Sequence, residues 1–221
     1  MKITKDALAA MIDHSLLRPQ STREELKTLC AEAVENGFKA VCVNPVHVAD
    51  AALLLKGETP LVCSVVGFPF GTHTRAAKAA ETAEVIRLGA GEVDMVLRIG
   101  ALKDGRDDEA EEDIAAVVSA AAGCPVKVIL ETCWLTDEEK VRACRLAVQA
   151  GAAFVKTSTG YGSAGATVAD VRLMRKTVGE HIGVKAAGGI RTLGDALAMI
   201  EAGADRIGAS ASVAIVGEIE P

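Results

Sequence analysis

The sequence predicts a single (β/α)8 TIM barrel domain over residues 1–221, with an additional helix ahead of the first strand. Three observations carry this expectation. Short apolar runs alternate with longer amphipathic ones along the whole chain, and there are eight of the short runs. Glycines that suit a helix stop recur just before strands: Gly37 to Gly89 spans 52 residues, and so does Gly151 to Gly203. Parallel neighbours need crossover helices, so this alternation implies a parallel sheet, and eight such units close into a barrel.

Taken in order, the first strand is expected at 12–17, around Ile12, Leu16 and Leu17. Ser21-Thr22-Arg23-Glu24 reads as a capping box for the next helix, which Asn36-Gly37-Phe38 ends. Strands follow at 40–44, 61–68 and 93–99, with Leu88-Gly89-Ala90 stopping the helix before the last of these. The charge run from Lys103 to Asp113 reads as a solvated helix start. A strand at 126–131 leads to a second capping box, Thr136-Asp137-Glu138-Glu139, and that helix ends at Ala150-Gly151-Ala152. Strands at 154–157, 184–187 and 206–209 complete the set, with Thr167 and Thr192 as helix caps between them and a short final helix.

Composition narrows the function. Half of the residues are hydrophobic and only 3% aromatic, so the core is aliphatic. A net charge of −6 argues against a nucleic-acid surface; an anionic ligand needs a local positive pocket. The six cysteines form no C-x-x-C pair and several sit in apolar stretches, which fits reduced thiols and a cytoplasmic location. The first seventeen residues hold Lys5, Asp6 and Asp13 and no apolar signal core, and no run is long enough to span a bilayer, so no membrane role is expected.

The informative residues are charges inside apolar strands: Asp13, Asp94, Lys127, Glu131, Lys156 and Lys185. A barrel interior is normally aliphatic, and the loops after its strands carry the chemistry. Lys127, Ile129 and Glu131 share parity, so an inward face would bring both a lysine and a glutamate into the barrel. Lysine titrates near ~10.4 and is protonated at neutral pH; burial and a second ammonium nearby favour the neutral amine, which attacks carbonyls to form a Schiff base. Asp94 is then a candidate for proton transfer. The residues alone leave open which lysine is the nucleophile. Gly188-Gly189-Ile190-Arg191-Thr192 and Gly208-Ala209-Ser210 run from the last two strands towards helices, where exposed N–H groups of barrels commonly bind phosphate. His14, His47, His73 and His181 show no metal spacing, and no metal or cofactor is expected. Cys42 and Cys133 read as packing, and Trp134, after the fifth strand, either walls the pocket or covers a helix.

The chain resembles the deoxyribose-phosphate aldolases. The resemblance is carried by Asp13-His14-Ser15-Leu16-Leu17, Val41-Cys42-Val43-Asn44-Pro45, Gly67-Phe68-Pro69-Phe70-Gly71, Glu92-Val93-Asp94-Met95-Val96 and Lys127-Val128-Ile129-Leu130-Glu131-Thr132, then Lys156-Thr157-Ser158-Thr159-Gly160, Lys185-Ala186-Ala187-Gly188-Gly189-Ile190-Arg191-Thr192 and Gly208-Ala209-Ser210. It covers nearly the whole chain in order. It implies reversible cleavage of deoxyribose 5-phosphate to glyceraldehyde 3-phosphate and acetaldehyde, with no cofactor. Lys156 matches the Schiff-base lysine, Lys185 the second lysine that perturbs it and moves protons, and Asp94 the acid–base aspartate. Gly160, Gly188, Gly189, Arg191, Gly208 and Ser210 match positions around the phosphate; Asp13, Cys42, Asn44, Lys127 and Thr157 are expected to support the site. The partners implied are a small phosphorylated sugar and acetaldehyde, with a homodimer or higher homo-oligomer as the assembly. Ser15, Arg18, Tyr161 and Ala211 depart from residues common in the resemblance. Some members carry a tail tyrosine that reaches the site; this sequence runs to Pro221 without one, so the proton relay is expected to rest on Asp94, Lys185 and water. Another lysine-dependent aldolase, a phosphosugar isomerase or a non-catalytic sugar-phosphate binder are the alternatives.

Overall fold

The computed structural model of the protein describes residues 3–219; Pro221, on which the tail expectation falls, lies outside them. Helix α1 (Lys5–Ala9) precedes the barrel. Among the described residues, eight parallel strands close in chain order: β1 (Ile12–Leu16), β2 (Ala40–Val43), β3 (Leu61–Val66), β4 (Glu92–Val96), β5 (Val126–Ile129), β6 (Phe154–Lys156), β7 (Gly183–Ala187) and β8 (Arg206–Ala209). The helices that follow α1 are α2 (Arg23–Asn36), α3 (Val48–Leu54), α4 (Arg75–Arg87), α5 (Ile99–Lys103), α6 (Asp107–Ala120), α7 (Asp137–Gln149), α8 (Val168–Val178), α9 (Leu193–Glu201) and the short α10 (Ser212–Gly217).

All eight expected strands are present, and three of them end two or more residues earlier than the sequence pattern implies. β3 stops before Gly67, whose positive φ of 62° turns the chain. β4 gives way to a helical turn at Ile99. β5 stops because Glu131 adopts φ 54°, ψ 64°, a left-handed conformation unusual for a residue with a Cβ. The first capping box lies one residue later than expected: Thr22, not Ser21, has the extended backbone of a cap, and it pairs with Glu25 rather than Glu24. Thr136, Thr167 and Thr192 cap α7, α8 and α9 as expected. The charge run from Lys103 to Asp113 is not solvated throughout. Asp113 falls on the buried stripe of α6 with Ala110, Ile114 and Val117, and it pairs with buried Lys78 of α4. Lys78 Nζ also donates to the Val96 carbonyl at 2.8 Å, so a buried charge is matched by an opposite one.

Strand parity divides the core. Val93 and Met95, Val126 and Val128, Val155, Val184 and Ala186, and Ile207 face outward into one apolar layer with the helices. The inward residues split by side. Ala40, Cys42, Cys63 and Val65 on β2 and β3 form a small apolar wall, with Leu17 and Phe68 packed on it. The remaining strands fill the interior with charge.

Candidate active site

Cross-strand register decides which charges meet. Asp94 on β4 lies beside Lys127 on β5, and Lys156 on β6 lies beside Lys185 on β7, which lies beside Arg206 on β8. Neighbouring parallel strands are only ~4.8 Å apart, so inward side chains in register are forced together. Asp13 enters from β1, beside Gly208 of β8.

Six of these side chains form a closed ring of alternating sign. Asp94 Oδ1 accepts from Lys127 Nζ at 2.8 Å. Lys127 Nζ reaches Glu92 at 2.7 Å. Glu92 accepts from Arg206 at 3.3 Å. Arg206 Nη1 donates to Asp13 Oδ1 at 2.6 Å. Asp13 accepts from Lys185, and Lys185 Nζ donates back to Asp94 Oδ2 at 2.7 Å. The ring holds three cations and three carboxylates. Lys156 hangs from it as a pendant: its Nζ donates to the same Asp94 Oδ2, also at 2.7 Å. Both amines therefore point the same way and share one acceptor atom.

The ring sets the charge state of its members. Burial alone would push Asp94 up, but the Lys127, Lys156 and Lys185 ammoniums outweigh it and hold the carboxyl well below its ordinary range. Asp13 is likewise lowered: burial opposes it, and Lys185, Lys127 and Arg206 prevail. Burial works against charge on Lys185 and Lys127 too, yet the carboxylates around them raise both. At rest Lys185 is therefore an ammonium and Asp94 a carboxylate.

Above Lys156 a cavity of about 890 Å³ opens at the C-terminal ends of the strands. Among the charged residues of the ring and its pendant, Lys156 alone lines it. Gly160, Gly188, Gly189, Arg191, Gly208 and Ser210 all line the same cavity. Gly188 has φ +88°, and a Cβ there would lie 3.0 Å from Gly165 Cα. The loop after β6 leans on it, with Ala166 N donating to Gly188 O at 3.0 Å.

The expected supporting residues lie around this cavity, not on it. Asp13 and Lys127 belong to the ring. Thr157 Oγ1 donates to Ala187 O at 3.0 Å and accepts from Ala187 N at 3.1 Å, locking β6 to β7 beside the lysines. Asn44 Nδ2 donates to Leu17 O at 3.0 Å, and Tyr161 Oη reaches the same carbonyl at 2.8 Å across the mouth while packing edge-on against Phe68. Cys42 sits in the apolar wall in register with Cys63. Glu131 does not enter the barrel; its left-handed backbone turns the carboxylate to Thr159, whose N donates to it at 3.2 Å and whose hydroxyl donates as well. His14 bridges Ser212 Oγ at 3.0 Å and Glu32 at 2.8 Å on the cavity wall.

Sequence reasoning did not single out Glu92, Arg206 or Cys63. Glu92 has the parity of Asp94, two residues away, and Arg206 opens an apolar strand; both signals were present. Cys63 Sγ donates to Asp94 Oδ1 at 3.1 Å, a contact no local pattern announces. Among the described residues, Cys42, Cys63 and Asp94, and likewise Asp13, Cys63 and Glu92, bring donor atoms within metal-binding reach. Every carboxylate in those trios already faces a lysine or arginine.

The profile described as DeoC/LacD family aldolase matches residues 7–216. The chain belongs to this aldolase family. A deoxyribose-phosphate aldolase of Listeria monocytogenes serotype 4b is 59% identical over 215 residues, covering 97% of this chain and 96% of that one. One from Lysinibacillus sphaericus is 58% identical over 209 residues, 94% of each. Among solved structures, one described as a putative deoxyribose-phosphate aldolase from Coccidioides immitis superposes with a TM-score of 0.95 at 42% identity, covering 98% of this chain and 87% of that one. A tetrameric deoxyribose phosphate aldolase from Aeropyrum pernix gives 0.92 at 33% identity, covering 97% and 91%. The family fold is thus the barrel described above. No helix among the described residues is long and apolar enough to cross a membrane.

Proposed function

We propose that this aldolase cleaves 2-deoxy-D-ribose 5-phosphate reversibly to D-glyceraldehyde 3-phosphate and acetaldehyde, through a Schiff base on Lys156. The observation that carries it is the shared oxygen of Asp94: Lys156 and Lys185 both bond to it at 2.7 Å, beneath the glycine-containing loops after β7 and β8. The names of the relatives support the substrate.

Lys156 is the nucleophile because it alone of the barrel amines lines the cavity and because it has one carboxylate contact, whereas Lys185 and Lys127 have two or more. The neutral amine adds to the C1 aldehyde, and the carbinolamine loses water to give the iminium. That iminium draws electrons as the C3 hydroxyl gives up its proton and the C2–C3 bond breaks. Glyceraldehyde 3-phosphate leaves, and the enamine takes a proton at C2 and is hydrolysed to acetaldehyde. Asp94, a carboxylate at rest, accepts the C3 hydroxyl proton through a water, and Lys185, an ammonium at rest, lends a proton to the carbinolamine oxygen as it leaves as water and takes one back afterwards. The backbone N–H groups at Gly188, Gly189 and Gly208, with Arg191 and Ser210, hold the phosphate. We further infer a single catalytic domain acting as a homo-oligomer in the cytoplasm, on the precedent of the tetrameric relative; light scattering in solution tests the assembly.

Borohydride reduction in the presence of acetaldehyde tests the reaction, read beside a deoxyribose 5-phosphate cleavage assay. A stable adduct on Lys156, absent in Lys156→Ala along with the cleavage activity, is the expected result. An active enzyme that traps nothing, or an adduct that persists in Lys156→Ala, removes the proposal.

A further inference from the structure

We propose that Glu92 and Arg206 are positioning residues that set the pH range over which Lys156 condenses with an aldehyde. The proposal rests on the reading of Lys156 as the nucleophile. Glu92 is the first residue of β4 and Arg206 the first of β8, at the opposite end of the strands from the cavity. Neither lines the cavity, yet each closes the ring that ends on the oxygen holding Lys156.

The argument is one of charge balance. The groups facing the interior come from every strand: Asp13 on β1, Cys42 on β2, Cys63 on β3, Glu92 and Asp94 on β4, Lys127 on β5, Lys156 on β6, Lys185 on β7 and Arg206 on β8. With all lysines, the arginine and the carboxylates ionised, four cations face three anions. A buried excess charge is unfavourable, and the cluster becomes neutral when an amine gives up its proton, or when the Cys42 thiol does, which its hydrogen bond with Cys63 and the Lys185 and Lys156 ammoniums pull below its ordinary range. Lys127, Lys185 and Arg206 are each held by carboxylates on two sides, and Lys127 and Asp13 are cross-braced at 3.8 Å. Lys156 is held on one side only. Among the amines, the pendant is therefore the one whose proton the carboxylates hold least. The ring need not touch substrate to do this: removing a charge at its far end changes the sum that Lys156 completes. Cutting out Arg206 makes the ring net negative, so Lys156 keeps its proton to higher pH. Cutting out Glu92 makes it net positive, so the proton leaves at lower pH. A purely structural role for these residues has no reason to produce opposite signs.

The test lets acetaldehyde condense with the enzyme across a pH series, quenches each sample with borohydride and measures the adduct at Lys156 by mass. Arg206→Gln is expected to move the rise of the adduct to higher pH, and Glu92→Gln to lower pH. Each shift should be on the order of one pH unit, the size expected for buried charges roughly 10 Å apart at an effective dielectric near 20. Glu92→Gln/Arg206→Gln and the charge-preserving Arg206→Lys are expected to return the rise close to its wild-type position. If one single variant does not fold, the sign of the other against the double variant decides. Shifts of the same sign, or a loss of adduct with no movement along the pH axis, overturn the proposal. A wild-type enzyme that forms no adduct at any pH overturns the Schiff-base reading as well, whereas an adduct whose pH range ignores both residues overturns only the ring.

Discussion

Lys156 and Lys185 are the same residue type on adjacent strands, and their surroundings give them different work. Lys185 is squeezed between Asp13 and Asp94, which reverse the effect of burial and keep it charged. Lys156 reaches one of these carboxylates and the open cavity. Parity along a strand made both lysines legible as interior residues, because a two-residue period needs only local sequence. Which of them attacks was not legible. The partner that distinguishes Lys185 is Asp13, 172 positions away in the chain, and only barrel closure brings the two together. Glu131 was misjudged for a local reason, since parity assumes that the strand continues and its left-handed backbone ends it. At the rim, Ser210 lines the cavity beside Gly208. Ser210→Asp sets a carboxylate where the phosphate is expected. The KM for deoxyribose 5-phosphate should rise roughly tenfold or more by like-charge repulsion, while that for unphosphorylated deoxyribose stays nearly constant. Steady-state kinetics on the two sugars decide it, and an equal loss on both contradicts the phosphate site.

Among the elements, those that build the mouth of the cavity are the connections after β6 and β7, and they touch backbone to backbone. The threonine caps and the helix-stop glycines were readable because each is a short-range device in which one residue serves the adjacent turn. The contact between the two loops was not, because nothing near Gly165 in the sequence shows what it packs on. A Cβ on Gly165 would lie 2.1 Å from the Gly188 carbonyl oxygen, which is backbone and cannot rotate away. Gly165→Ala must therefore displace the loop that carries Gly188 and Gly189. The expected cost is about 1–3 kcal/mol of overpacking, felt mainly as weaker binding of phosphorylated substrate. Titration with inorganic phosphate, monitored by its protection of the protein against thermal unfolding, should show the loss directly. Unchanged phosphate affinity would mean that the Gly188 loop does not hold the anion.

For the whole molecule, the barrel interior is a compromise between folding and reactivity. An aliphatic filling would be the simpler core; this one instead encloses four cations and three carboxylates on the strands outside the β2–β3 wall. Removing one partner of a buried pair costs about 3–5 kcal/mol, so Asp94→Asn, which takes the shared carboxylate from Lys127, Lys185 and Lys156, should lower unfolding stability by that order at neutral pH. The pH dependence follows from the directions of the shifts. Asp94 and Asp13 are depressed in the folded protein and titrate near ~3.9 when unfolded, so their contribution is complete above that value and is lost as the pH falls through the depressed folded ones. Lys127 and Lys185 are raised, so theirs is complete below the free-lysine value near ~10.4 and fades only as the pH climbs through the raised folded ones. Between those limits the stability gap between wild type and Asp94→Asn should be flat, and it should narrow below ~3.9, where Asp94 of the unfolded chain takes up a proton that the folded carboxylate does not. Urea midpoints collected from pH 3 to 9 would reveal this. A gap that stays constant into the most acidic samples would mean that Asp94 is not held by the ammoniums around it, and the charge balance assigned to the ring would go with it.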